Sequence, residues 1–238
     1  MSTAIVTGAS RGLGKALAAA LAEAGWDLVI DARDGTELAA ASAELAGTGS
    51  AEIVAVEGDV TTPGHIDELM SAAAGLGHLR LVVNNAGALG PSPQPRLADY
   101  PLDVLEAVYR TNVVAPLRLV QRSLPELRRR RGMIINITSD AATAAYEGWG
   151  GYGSSKAALE QISHVLSEEE SQVDVYWVDP GDMRTRMHAD AFPGEDISDR
   201  PVPESRVPGL IRLIEGDYPS GRYIVTDLLA ETRRPVVA

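Results

Sequence analysis

Along the chain, short apolar runs rich in β-branched residues alternate with longer stretches rich in alanine and leucine. Seven runs have strand character: residues 3–7, 26–31, 52–57, 79–84, 132–138, 173–178 and 222–226. Most are continuous rather than alternating, the pattern of strands covered by helices on both faces. Between them lie helical stretches at 12–24, 35–46, 66–74, 101–130, 153–170 and 204–215. In the second of these Leu38, Ala41 and Leu45 recur at helical spacing. Strand and helix alternating over the whole length predict right-handed crossovers and a three-layer, doubly wound α/β fold. Its sheet is expected to be parallel and seven-stranded, in one domain spanning residues 1–238. Two long connections, 86–100 and 180–204, follow the C-terminal ends of predicted strands, where open α/β sheets bind ligands.

Composition narrows the picture modestly. The 238 residues are 45% hydrophobic and 23% charged, ordinary for a folded globular protein. There are no cysteines, which removes disulfides, thiol nucleophiles and thiolate metal sites, and no metal site is expected. The formal net charge of -12 disfavours nucleic acid as a partner. No apolar run approaches the ~18 residues a membrane span needs, and the N-terminus lacks secretory character. A cytoplasmic protein with no membrane partner is the expectation.

The stretch Thr7–Leu17, TGASRGLGKAL, holds a glycine-rich loop between a predicted strand and a predicted helix. Its Gly14-Lys15 pair suggests a P-loop. The spacing rejects that: five residues separate Gly8 from Gly14, and Ala16 stands where a magnesium-binding hydroxyl is needed. Gly8, Gly12 and Gly14 instead suit a dinucleotide loop. Glycine allows the tight turn and close backbone approach, and the helix beginning near Gly12 offers free N–H groups to a pyrophosphate.

Further on, Tyr152 and Lys156 are one helical turn apart, so both can share a face. Ser139 follows the fifth strand run. An asparagine inside a helical stretch, as at Asn112, is unfavourable unless bonded. Taken in order, T-G-x-x-x-G-x-G at 7–14, Asp59, N-N-A-G at 84–87, Asn112, Ser139, Y-x-x-x-K at 152–156 and PGDMRT at 180–185 resemble the short-chain dehydrogenase/reductase family in its single-domain form. The resemblance covers nearly the whole chain and implies a Rossmann fold that interconverts a carbonyl and a secondary alcohol by hydride transfer. It implies Asn112, Ser139, Tyr152 and Lys156 as catalytic residues. Cofactor contacts are expected from Gly8, Ser10, Arg11, Gly12, Leu13, Gly14, Arg33, Asp59, Val60, Asn85, Ala86, Gly87, Pro180, Gly181 and Thr185, together with Tyr152 and Lys156.

The chemistry asks for these types. Tyrosine titrates near pH 10, and an adjacent ammonium is expected to lower that value, a task for Lys156. Ser139 can donate to a developing oxyanion. The resemblance further implies that Lys156 holds the nicotinamide ribose and that Asn112 holds a water linking Lys156 to solvent. Tyr146 has glycine four residues on and lacks such a partner; Tyr146 and Trp149 read as pocket-lining residues. A catalytically silent cofactor-binding regulator is the alternative from another class.

The second strand ends DLVIDARDG, with both an acid and a base near the expected ribose. The aligned position for an NAD-selecting carboxylate is Ala32; strand alternation turns Asp31 to the other side. Arg33 and Arg11 are placed for a 2′-phosphate, so NADP(H) is expected, with NAD(H) the alternative. The run Arg128–Arg131 suits a helix C-terminus. With the acidic stretch 167–172 and the net charge, it argues against a carrier-protein partner. The C-terminal segment lacks the family's usual ending, which puts the family tetramer in doubt. A homodimer through helices 101–130 and 153–170 is the safer expectation. The loop 183–204 reads as a substrate lid, with Met183, Met187 and Phe192 inside and Asp190, Glu195, Asp196 and Asp199 outside.

Overall fold

The structure, a computed structural model, describes residues 1–47 and 50–231. Its elements run β1 (Thr3–Val6), α1 (Gly12–Glu23), β2 (Asp27–Ala32), α2 (Gly35–Ala46), β3 (Ile53–Glu57), α3 (Pro63–Leu76) and β4 (Leu79–Asn84). Then follow α4 (Leu102–Tyr109), α5 (Ala115–Arg130), β5 (Met133–Ile137), α6 (Gly150–Glu169), β6 (Asp174–Asp179), α7 (Arg186–Ala191), α8 (Val207–Glu215), β7 (Gly221–Ile224) and α9 (Val225–Ala230). The seven strands form one sheet in the order β3-β2-β1-β4-β5-β6-β7, and every pair is parallel. The chain steps outward from β1 to β3 and then returns to place β4 beside β1. That reversal opens a crevice at the C-terminal ends of β1 and β4.

The continuous apolar strands have the predicted cause. Ala4 and Val6 of β1 face one core, which α1 and α8 cover with Leu17, Leu21, Leu210 and Leu213. Ile5, between them, faces a second core covered by α3 and α5 through Ile66, Leu69, Leu119 and Leu127. Successive residues point to opposite faces, and each face carries a helical layer.

Several boundaries differ from the sequence pattern. The helix expected over 101–130 is interrupted by a π turn at Arg110–Val114. Helix α3 starts earlier than expected because Pro63 takes the first helical position, where its missing N–H costs nothing. The last strand run was too long: β7 stops at Ile224 and Val225 opens α9. A six-residue helix, α7, lies inside the loop expected to be irregular. Of the C-terminal segment, 232–238 lie outside the described residues. Among the described residues no helix is long and apolar enough to cross a membrane.

Candidate active site

The glycine loop leaves β1 and is pinned on several sides. Gly8 has φ +66°, and a Cβ there would sit 2.9 Å from the Ala86 Cα. A Cβ on Gly14 would collide with the Asn85 side chain and the Gly8 carbonyl. Asn85 Nδ2 donates to the carbonyls of Thr7 (2.9 Å) and Gly8 (3.1 Å). The Thr7 hydroxyl accepts from the N–H groups of Asn85 (3.0 Å) and Ala86 (3.1 Å). The loops after β1 and β4 are thus stitched together at the crevice.

This cradle fits a dinucleotide pyrophosphate. Arg11, at the N-cap of α1, makes no capping bond with its side chain, and the first turn holds no acidic residue. The N–H groups of that turn are therefore free for an anion. Above Gly12 the nearest atom to an added Cβ is Thr185 Cγ2 at 3.7 Å. Leu13 buries its side chain in the core, so only its backbone faces the loop.

At the end of β2 Asp31 is turned inward, 1% exposed, as strand alternation requires. Ala32 is the last strand residue, and the exposed Arg33 follows it. Arg11 Nη1 pairs with Glu37 Oε2 at 2.6 Å, and the Ser10 hydroxyl approaches the same oxygen. Asp59 accepts the Thr61 N–H at 2.8 Å. Burial works against its charge, but Thr61, Arg33 and His65 outweigh it and hold the carboxyl below its ordinary range. Val60 is buried beside it.

Asn112 lies within the π turn, a device that recurs at functional sites. Its Oδ1 accepts the Ala88 N–H at 2.8 Å, and Nδ2 donates to the Ala88 carbonyl and to Ser155 Oγ, both at 2.9 Å. An asparagine that looked out of place in a helix is fully bonded and ties the loop after β4 to α6. A Cβ on Gly87 would lie 3.5 Å from Asn112 Oδ1 and 3.8 Å from Lys156 Nζ. Gly87, Asn112 and Lys156 are therefore neighbours.

Tyr152 and Lys156, on α6, are buried together where Ser139 leaves β5. Lys156 Nζ stands 5.6 Å from the Tyr152 ring centroid and donates to the Ile137 carbonyl at 2.7 Å. Burial lowers its pKa to about 8, opposed by Glu160. Tyr152 departs from the sequence expectation. Burial pushes its hydroxyl well above the usual tyrosine range, Asp179 and Asp140 push the same way, and the Ser139 hydroxyl opposes them. Lys156 contributes no lowering that offsets these effects. Ser139 Oγ donates to Asp140 Oδ1 at 2.9 Å, and Asp140 Oδ2 accepts from Tyr146 at 2.9 Å.

The loop after β6 covers this end of the crevice. Asp179 holds the Gly181 N–H at 2.9 Å, shaping the Pro180-Gly181 turn. Thr185 Oγ1 caps α7 by accepting the His188 N–H. Phe192 packs on Trp149 (5.6 Å between rings), and Trp149 packs edge-on against Tyr152 (5.9 Å). Met183 packs against the core, whereas Met187 is about a third exposed and lies close to Gly87. Asp190, Glu195, Asp196 and Asp199 are exposed. Tyr146 is half exposed and stands behind Trp149.

Sequence reasoning missed four features. Glu37 faces Arg11 across the crevice. His65 pairs with Asp31 at 2.9 Å. Asn84, Asn136 and Ser163 form a buried chain of hydrogen bonds at 2.7 Å. Arg222 on β7 bonds Glu160 (3.0 Å), approaches the Ser139 carbonyl (3.4 Å) and meets Asp179 (3.5 Å). Asp31 carried a signal through its inward strand position, and Asn84 through its place in the N-N-A-G motif.

Residues 2–196 match the short chain dehydrogenase family. The chain is 39% identical over 160 residues to the 1-deoxy-11-beta-hydroxypentalenate dehydrogenase of Streptomyces avermitilis, covering 66% of this chain and 58% of that one. It is 34% identical over 189 residues to the serine 3-dehydrogenase of Rhizobium radiobacter, covering 78% and 73%. Among solved structures it resembles the alcohol dehydrogenase of Thermococcus sibiricus complexed with 5-hydroxy-NADP. There the TM-score is 0.85 at 26% identity, covering 94% of this chain and 95% of that one. The chain belongs to the short chain dehydrogenase family. It is an oxidoreductase acting on CH–OH groups, with a Rossmann fold of the kind that binds NAD(P).

Proposed function

We propose that this protein is an NADP(H)-dependent oxidoreductase that interconverts a small-molecule carbonyl and a secondary alcohol, with Tyr152 as general acid/base. The observation that carries the reading is the buried Tyr152–Lys156 pair on one face of α6, with Ser139 beside it. The nicotinamide supplies or accepts the hydride.

The chain's own residues do the rest. Gly8, Gly12 and Gly14 give the pyrophosphate its backbone approach, and Asn85, Ala86 and Gly87 close the cradle. Asp59 and Val60 would hold the adenine, and Pro180, Gly181 and Thr185 would hold the cofactor from the loop after β6. In reduction Tyr152 Oη gives its proton to the carbonyl oxygen as the carbon receives the hydride. Ser139 turns its hydroxyl from Asp140 to that oxygen and stabilises the developing charge. Lys156, whose pKa of about 8 lets it exchange a proton near neutrality, restores the Tyr152 proton. Asn112 holds the loop and helix around this pair at fixed separation. Because burial, with Asp179 and Asp140 adding to it, keeps Tyr152 protonated, the site suits reduction at neutral pH.

Arg33 and Arg11 support NADP(H), and the Thermococcus relative solved with an NADP derivative agrees. One observation favours the second reading, NAD(H): Glu37 already occupies Arg11. The reading extends to one domain over 1–238 and to a cytoplasmic homodimer or homotetramer. Exposed Leu102, Val114 and Val165, on or beside α4 and α6, support pairing through those helices.

Initial rates with NADPH and with NADH across a panel of ketones and aldehydes test this. A higher kcat/KM with NADPH is expected. A preference for NADH overturns the cofactor assignment. NADPH binding with no turnover on any substrate favours a silent cofactor-binding protein.

A further inference from the structure

Beneath the glycine loop lies a buried acid–base pair that the reaction chemistry does not use. Asp31, at the end of β2, is 1% exposed, and His65, in the first turn of α3, is 4% exposed. Asp31 Oδ2 is 2.9 Å from His65 Nε2, and Asp31 Oδ1 accepts the Gly8 N–H at 2.6 Å. The imidazole is wedged under the backbone: a Cβ on Gly58 would lie 2.2 Å from Nδ1. Gly8 is therefore gripped at both of its polar groups, its N–H by Asp31 and its carbonyl by Asn85. A carboxylate this deeply buried is costly without a cation beside it. Among the described residues, its one ion-pair partner is His65.

We propose that Asp31 and His65 are positioning residues for the cofactor loop, the carboxylate fixing Gly8 and the imidazolium balancing the carboxylate's charge beneath the bound pyrophosphate. The inference rests on reading the loop as a dinucleotide site. Three other charged groups complete the surroundings of His65. Glu68, on its own helix, lies 3.7 Å from Nδ1. Asp59, on the approach to α3, senses its charge, and Arg33 faces Asp59. The Asp31 hydrogen bond raises the His65 pKa, burial opposes this, and the charges of Asp31 and Glu68 add to the rise.

The consequence has a definite sign. As pH climbs through the raised His65 pKa, the imidazole loses the charge that balances the Asp31 carboxylate. An unbalanced carboxylate then faces a pyrophosphate across one turn of backbone. Affinity falls for NADPH and NADH together, because both carry that group.

Direct titration of NADPH and of NADH into the full-length protein, from about pH 6 to about pH 9, tests this. The wild-type Kd for both cofactors is expected to rise about tenfold across the range. His65→Gln keeps a donor to Asp31 but carries no charge, so it binds weakly at every pH with a flat profile. Asp31→Asn keeps the acceptor for Gly8 and removes the charge; its profile is flat at the tight, low-pH affinity. A flat wild-type profile, or an unaltered slope in both variants, overturns the proposal. If neither cofactor binds the wild type at any pH, the dinucleotide reading itself fails.

Discussion

Arg11 Nη1 sits 2.6 Å from Glu37 Oε2, so one of the two arginines placed for a 2′-phosphate is already paired with an acid on α2. Arg33, the other, has no ion pair among the described residues. A 2′-phosphate has to draw Arg11 away from Glu37, and an exposed pair of this kind is worth ~0.2–1 kcal/mol. Glu37→Gln is therefore expected to raise the NADPH-to-NADH ratio of kcat/KM by up to about fivefold. Arg33→Ala, which removes the unpaired cation, is expected to lower that ratio by about tenfold or more. Steady-state kinetics with both cofactors checks both.

The second prediction concerns pH. Alcohol oxidation requires Tyr152 to lose its proton, and Asp140 is one of the groups that hold the proton on. The rate of oxidation should rise steadily with alkaline pH, while reduction declines. Asp140→Asn removes a charge that opposes the phenolate and keeps one acceptor oxygen, enough for Ser139 or Tyr146 but not both. Its oxidation profile should move to lower pH by up to about one unit. The pH dependence of kcat/KM for a secondary alcohol measures this; a shift to higher pH would oppose the assignment of Asp140.

A third prediction separates structure from chemistry at Asn112. Asn112→Ala leaves the Ala88 N–H and C=O without the partners they have now. A fully buried unsatisfied group costs ~1–3 kcal/mol, so these half-buried ones should cost about 1 kcal/mol, which for a chain of this length lowers Tm by about 2–4 °C. Thermal unfolding should show the loss without any substrate present.

Gly8→Ala addresses the cradle. The new Cβ meets the Ala86 backbone, and φ +66° is unfavourable for any residue with a Cβ. Cofactor affinity should fall by at least about tenfold, with a lower Tm, measured by titration and melting.

The contrast between legible and hidden features has a physical origin. Strands β1, β2, β4 and β5 are covered on both faces, so their apolar runs announced both their positions and the three-layer fold. β7 failed at its boundary because the β-branched run Ile224–Thr226 suits an edge strand as well as a helix start. Tyr152 and Lys156 were legible because one helical turn separates them. The Asp31–His65 pair joins residues 34 positions apart, and Arg222 reaches Ser139 across 83. Such contacts depend on how the elements stack, which local spacing does not encode. The raised Tyr152 was hidden for the same reason, since burial by the packed elements raises it first and Asp179, on β6, adds to the rise.

The central claim is that Tyr152 moves the proton while the bound cofactor moves the hydride. Tyr152→Phe removes the hydroxyl and keeps the ring that packs against Trp149. The decisive measurement is kcat/KM of Tyr152→Phe for carbonyl reduction, with NADPH affinity titrated in parallel. A loss of about 10²–10⁴-fold with cofactor affinity retained is the predicted result; reduction at the wild-type rate would contradict it.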